Sequence, residues 1–263
     1  MLSLLVITLA LYSASALLLW RQLRQPKVVP MLLWLLPATA LIGHAWLVWN
    51  HLQLDHFDYF NITTSLSTVA FMVALLSLLR SGRSGGLLLR PVIYLFAAAS
   101  VLLMYFSPTN WGAQVSYQHG LILHIVLSLL AYAILVMATL YAIQLLYLNY
   151  LLKHHRSSVM NQHLPPLMTV ERYFFRLLTT GTAVLLIALF SGFLFLNDMF
   201  AQGQAHKTIL SLVAASLYLL VVVCHGYYHM RGRLLVLTSV VASMVLTLAY
   251  FGSRFVKDVL LSA

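Results

Sequence analysis

The chain has 263 residues, of which 62% are hydrophobic and only 8% charged, with a mean hydropathy of +0.93. A water-soluble domain of this length needs a far more polar surface, so the composition is that of a polytopic helical membrane protein. The formal charge of +10 does not mark a nucleic-acid binder, because the basic residues sit in short loops between apolar runs. The single cysteine, Cys224, excludes an internal disulfide, a CxxC redox pair and a CxxCH attachment site.

Eight apolar segments follow one another at roughly 2–20, 29–49, 62–79, 90–106, 120–149, 177–196, 208–228 and 234–252. Each is near the ~20 residues that a membrane span requires, the fourth being the shortest. The start MLSLLVITLA lacks a basic n-region, so the first helix is expected to be retained. The prediction is an all-α, eight-transmembrane-helix bundle forming a single integral membrane domain over residues 1–263. Sidedness follows from Lys and Arg. Arg21, Arg24, Lys27, Arg80, Arg83, Arg90, Lys153, Arg156, Arg172, Arg176, Arg231 and Arg233 fall in one set of loops, and only Lys207, Arg254 and Lys257 on the other side. The positive-inside rule then places both termini on the outer, periplasmic side. In the longest inner loop, about 150–176, Pro165 and Pro166 stop the helix arriving from the fifth span. Thr169 is expected to cap a short helix running into the sixth.

The span 120–149 carries no Asp, Lys or Arg, and its one ionisable residue near the outer end is His124. His124, Ser128 and Tyr132 recur at i, i+4 and i+8 and so share a helix face. Eleven histidines stand against five acids. His154, His155, His163 and His229 read as solvated inner residues, and His51, His56 and His119 as outer-loop residues. His44 lies ~9 Å below the outer end of span two, and His124 ~6 Å below that of span five. Intramembrane ionisable residues are functional candidates by default. Two imidazoles at similar depth on different helices suit the axial positions of a haem iron. Trp46, Trp49, Tyr105 and Trp111, near that level, would flank a porphyrin. Zinc is disfavoured because no third or fourth ligand sits at matching depth. His206 and Lys207 open span seven, and Lys207, Arg254 and Lys257 are the outer cations able to pair with haem propionates or to snorkel as anchors. His225, near the inner end of span seven, suits a second haem or a helix-end hydrogen bond. Asn61, Ser65 and Thr68 in span three, and Ser239, Ser243 and Thr247 in span eight, fit interhelical hydrogen bonds or a cavity lining. Gly181, Gly192 and Gly226 allow close helix approach. No Walker A motif, HExxH motif or soluble catalytic domain is present, and no intramembrane carboxylate supports proton-coupled transport.

Three segments carry a family resemblance: LILHIVLSLLAYAILVMATLYAIQLLYL (121–148), LPPLMTVERYFFR (164–176), and RGR (231–233) followed by LTLAYFGSRFV (246–256), together with GHAW around His44. They resemble the cytochrome c assembly protein transmembrane family, in its YpjD-type, HemX-like branch, over essentially the whole chain. The resemblance implies haem handling, with His44, His124 and His225 matching histidine positions of that pattern; His206 has no secure counterpart. Two departures stand out. The outer segment SPTNWGAQVSYQH (107–119) has one tryptophan where haem-presenting members have a tryptophan-rich, WWD-like loop, and the inner GWRGR reads HMRGR at 229–233. A non-enzymatic bacterial inner-membrane protein is therefore expected, with an accessory role in haem handling or cytochrome c maturation, holding non-covalent haem b near the outer face by two intramembrane histidines. Its partners would be the lipid bilayer, haem and other maturation or membrane proteins. The competing readings are a cofactor-free transporter or regulatory subunit, and a membrane electron carrier.

Overall fold

Inside lipid a backbone must satisfy its own hydrogen bonds, and a chain of apolar runs separated by cations and prolines does so as helices. The computed structural model describes residues 1–24, 30–54, 59–80, 88–107, 113–114, 119–153, 166–195 and 205–252. Its helices are α1 (Leu2–Arg24), α2 (Pro30–Leu54), α3 (Ile62–Leu79), α4 (Arg90–Phe106), α5 (His119–Lys153), α6 (Leu167–Phe195), α7 (Ala205–Gly226) and α8 (Arg233–Thr247). The last continues into a π-helical turn, Leu248–Gly252. Two-residue strands β1 (Tyr59–Phe60) and β2 (Ala113–Gln114) pair antiparallel and leave the all-α class unchanged. Among the described residues seven helical segments are long and apolar enough to cross a bilayer. At 17 residues, α4 is about 26 Å long, a little short of the ~30 Å hydrocarbon core.

The helices pack as two compact units. One comprises residues 1–115 with 160–166 and holds α1–α4; the other comprises 116–159 with 167–263 and holds α5–α8.

In the first unit, α1 packs on α2 and α4, and α3 on α4 and α2. Leu5, Thr8, Tyr12, Ala16 and Leu19 are buried along one stripe of α1, spaced by three and four residues. Leu5, Leu47, Val101 and Met104 join α1, α2 and α4 in an apolar cluster. A β-carbon at Gly43 would come 2.5 Å from Thr8 Oγ1, so the missing side chain is what lets α2 approach α1 here. Asn61 caps α3: its Oδ1 accepts the Thr64 backbone N–H at 2.8 Å and the hydroxyls of Thr64 and Thr63 at 2.7 and 2.9 Å. Asn61→Ala is expected to cost about 1–2 kcal/mol, seen as a lower melting temperature of the purified protein, whereas Asn61→Asp retains most of the stability.

In the second unit, α5 runs along α6 and also meets α8, while α7 packs on α8 and α6. Residues 131–135 of α5 are all buried, which a helix achieves only where neighbours cover more than one face. Gly181 of α6 marks close approach, since a β-carbon there would lie 2.8 Å from both Cγ and Cδ2 of Leu135. Gly226 does not: nothing lies within 4 Å of its would-be β-carbon. Gly192 is buried.

Helix ends depart from the hydropathy reading. α6 starts at Leu167, directly after the proline pair, rather than at 177, so Thr169 lies within its first turn and caps nothing separate. Val170, Phe174, Leu177, Leu178, Gly181, Leu185 and Ala188 are buried at helical spacing. Glu171, Arg172 and Arg176 interrupt hydropathy while lying between those core positions. His51, expected in a loop, is a buried residue in the last turn of α2, and His119 is the first residue of α5.

Candidate functional site

His44 lies on the buried stripe of α2 with Ala40, Leu41, Leu47 and His51. Its ring is fully buried, with Nδ1 3.0 Å from the Tyr12 hydroxyl of α1 and Nε2 2.9 Å from the Ser67 hydroxyl of α3. The rings of Tyr12 and Phe71 meet it edge-on, with centroids at 5.8 and 5.5 Å, and Tyr94 stacks on Tyr12. A neutral imidazole has one donor and one acceptor nitrogen, and hydroxyls satisfy both here. In this arrangement His44 has no nitrogen to give an iron. Of the aromatics expected near that level, Trp46 and Trp49 are exposed on another face of α2, and Tyr105 packs against Phe106.

His124 is built differently. It is half-buried on α5, and Nδ1 lies 2.9 Å from the Ala188 carbonyl of α6 and 3.2 Å from Ser191 Oγ. Ser191 itself donates to the Ala188 carbonyl at 2.7 Å. A carbonyl only accepts, so Nδ1 of His124 carries the proton and the lone pair of the neutral ring is on Nε2. Among the described residues the only partner of Nε2 is the Ser128 hydroxyl at 3.5 Å, the limit of a hydrogen bond. Ligand histidines usually have this geometry, with the far nitrogen anchored on a carbonyl and the near one free to coordinate. His124 therefore fits an axial position on a haem iron; His44 as arranged does not. The stripe continues to Tyr132, whose hydroxyl bonds Thr247 of α8 at 2.8 Å and whose ring lies against Tyr250 and Phe251 of the π-helical turn.

His206, exposed, and Lys207, half-exposed, stand in the first turn of α7, at the end of the second unit where α6 finishes. His225 is at the other end of α7. Its ring stacks on Phe175 with centroids 3.4 Å apart and planes within 1°, and its Nδ1 donates to the Met230 carbonyl at 3.1 Å. The helix-end hydrogen bond expected for it is therefore present. His229 is in the α7–α8 link with φ of 50°. His56, Trp111, His154, His155, His163, Arg254 and Lys257 lie outside the described residues. Among the described residues no three His, Cys, Asp or Glu side chains converge as a metal site would require.

Of the polar residues expected to bridge helices, Ser65 and Thr68 return their hydroxyls to Asn61 and Thr64 carbonyls of α3 itself. Ser239 likewise bonds the Val236 carbonyl, whereas Thr247 makes a cross-helix bond, to Tyr132. Sequence reasoning passed over Tyr12 and Ser67, the two residues that hold His44. Their one signal is a hydroxyl on the core stripe of an apolar helix.

Two sets of apolar helices, each with a histidine anchored inside it, define a polytopic helical membrane protein. The chain belongs to the Cytochrome C assembly protein family, which matches residues 3–261. Among individual proteins, it is 36% identical over 196 residues to "Inner membrane protein YpjD" of Escherichia coli strain K12, covering 74% of this chain and 73% of that one, with the same figures for the protein of that name in E. coli O157:H7. Azospirillum brasilense has a further relative, the "Uncharacterized 28.8 kDa protein in nifR3-like 5'region", 33% identical over 141 residues, or 53% of this chain and 52% of the other. No solved structure matches. The protein is a multi-pass protein of the bacterial inner membrane.

Proposed function

We propose that this protein is an accessory, non-enzymatic component of cytochrome c maturation that holds b-type haem non-covalently, with both termini on the periplasmic face. Family membership supports the maturation role. The observation that carries the haem reading is His124, whose Nδ1 is fixed on the Ala188 carbonyl while Nε2 keeps its lone pair on a half-buried face. Haem would supply an iron that takes imidazole nitrogen and two anionic propionates. Ala188 and Ser191 hold the imidazole in one tautomer and orientation, and Nε2, met by Ser128 at 3.5 Å, is the atom that would hold the iron. His206 and Lys207, at the same end of the second unit, are the proposed propionate partners. His44, in the first unit, is proposed as a histidine ligand to haem, which requires the Ser67 hydroxyl to turn away from its Nε2; Ser67→Ala removes that competitor.

The test is an absorption spectrum of the purified protein, oxidised and reduced, with and without added haemin. Sharp reduced bands are expected in the parent, lost in His124→Ala and retained or strengthened in Ser67→Ala. A parent that is colourless and takes up no haemin would sink the reading in favour of a cofactor-free transporter or regulatory subunit.

A further inference from the structure

The second unit contains a cavity of about 500 Å³ where α6 begins and α7 ends, with Arg172, Arg176, Thr179, Thr180, His225 and Arg231 among the residues lining it. It is a different place from His124: from Arg172 to Ser191 the path along α6 is roughly 28 Å. Arginines near a membrane boundary usually serve as topological anchors, each reaching for solvent on its own. These three instead face one concave space.

Their placement is built into the local fold. Arg172, Arg176 and Thr180 are spaced i, i+4, i+8 and form one row on α6. Arg231 comes from the α7–α8 link, which is folded back by several restraints. His229 takes φ of 50° and Gly232 φ of 141°. The Met230 N–H donates to the Cys224 carbonyl at 3.1 Å, and the Met230 carbonyl accepts from His225 Nδ1 at 3.1 Å. The His225 ring is in turn stacked on Phe175 of α6, so the link carrying Arg231 is tied to the helix carrying the other two arginines. The Thr179 hydroxyl already donates to the Phe175 carbonyl at 2.9 Å, whereas Thr180 faces the cavity with no such bond among the described residues. Three guanidinium groups stand against one carboxylate, Glu171.

We propose that this cavity binds a phosphoryl anion: the headgroup of an anionic phospholipid or a free phosphate compound. A guanidinium presents its N–H donors in a planar fork that matches two oxygens of a phosphoryl group. Three forks and a threonine hydroxyl offer more donors than one carboxylate accepts, but suit the oxygens of a phosphodiester or diphosphate. The volume is in the range of small-molecule sites and exceeds a single phosphate. Basic pockets between transmembrane helices are a known setting for anionic headgroups.

The full-length protein in mild detergent separates the two sources. Native mass spectrometry with phosphatidylglycerol and phosphatidylcholine reads lipid binding, and the melting temperature with inorganic pyrophosphate reads soluble phosphate. Preference for phosphatidylglycerol over phosphatidylcholine, weakened roughly tenfold in Arg172→Gln/Arg176→Gln, assigns a lipid headgroup. Stabilisation by pyrophosphate that the same variant loses, with no lipid preference, assigns a soluble phosphate compound. Arg231→Gln, which lies outside the helices, provides the same comparison should the double variant fold poorly. If neither probe distinguishes the parent from these variants, the proposal is overturned.

Discussion

His44→Ala is expected to destabilise the haem-free protein by about 2–4 kcal/mol. The substitution empties a site with no solvent access and strands two hydroxyls, Tyr12 and Ser67, that the imidazole joins across three helices. Hydrogen bonds between membrane helices are individually modest, averaging ~0.6 kcal/mol in double-mutant cycles. Most of the loss therefore comes from the cavity, and the unpaired hydroxyls supply the rest. Tyr12→Phe and Ser67→Ala, which keep the packing, should each cost about 1 kcal/mol or less. The check is thermal unfolding of the four proteins without haem. A His44→Ala variant that melts with the parent would show that the Tyr12–His44–Ser67 chain holds nothing together. Because the readout needs no cofactor, it separates a scaffold role for His44 from a ligand role.

The second large effect is expected at Gly181. Leu135, which is 1% exposed, and Ile134, which is 7% exposed, leave no room above that position, with would-be β-carbon contacts of 2.8 and 3.1 Å. Gly181→Val must push α6 away from α5 and should cost about 1–3 kcal/mol through overpacking. Gly181→Ala should cost less, because its clash is offset by a gain in helix propensity of up to ~1 kcal/mol. Gly226→Ala provides the control in open space and should be neutral or slightly stabilising. Melting temperatures of the three variants check the pattern. Equal effects at 181 and 226 would mean that the close approach of α5 and α6 is not what Gly181 supplies.

Much of this was legible in the sequence for identifiable reasons. α3 and α4 match their expected spans at both ends, because apolar runs bounded by polar residues coincide there with the helices. α6 was read short because hydropathy averages over a window and cannot see that Glu171, Arg172 and Arg176 sit between core positions. The 3–4 spacing of Val170, Phe174 and Leu177 carried that information instead. His124 was legible as a candidate since a lone ionisable group in an apolar span is costly. Its anchoring was not, because the Ala188 carbonyl belongs to the backbone and leaves no mark in the residue pattern. The Tyr12 and Ser67 hydroxyls that hold His44 were hidden for a similar reason. Depth along a helix can be counted from sequence, but the neighbours across the helix cannot. The same count placed Trp46 and Trp49 near His44 in height while missing that they lie on another face.

α5 is 35 residues long, or about 52 Å, against ~30 Å of hydrocarbon and ~40–45 Å for a whole bilayer. A rod longer than the slab that holds it must lean, protrude or thicken its surroundings, and each response has a modest cost per ångström of mismatch. This makes α5 a gauge of bilayer thickness. Since His124 is close to one end of that rod, the response at that end decides how near its imidazole sits to the water.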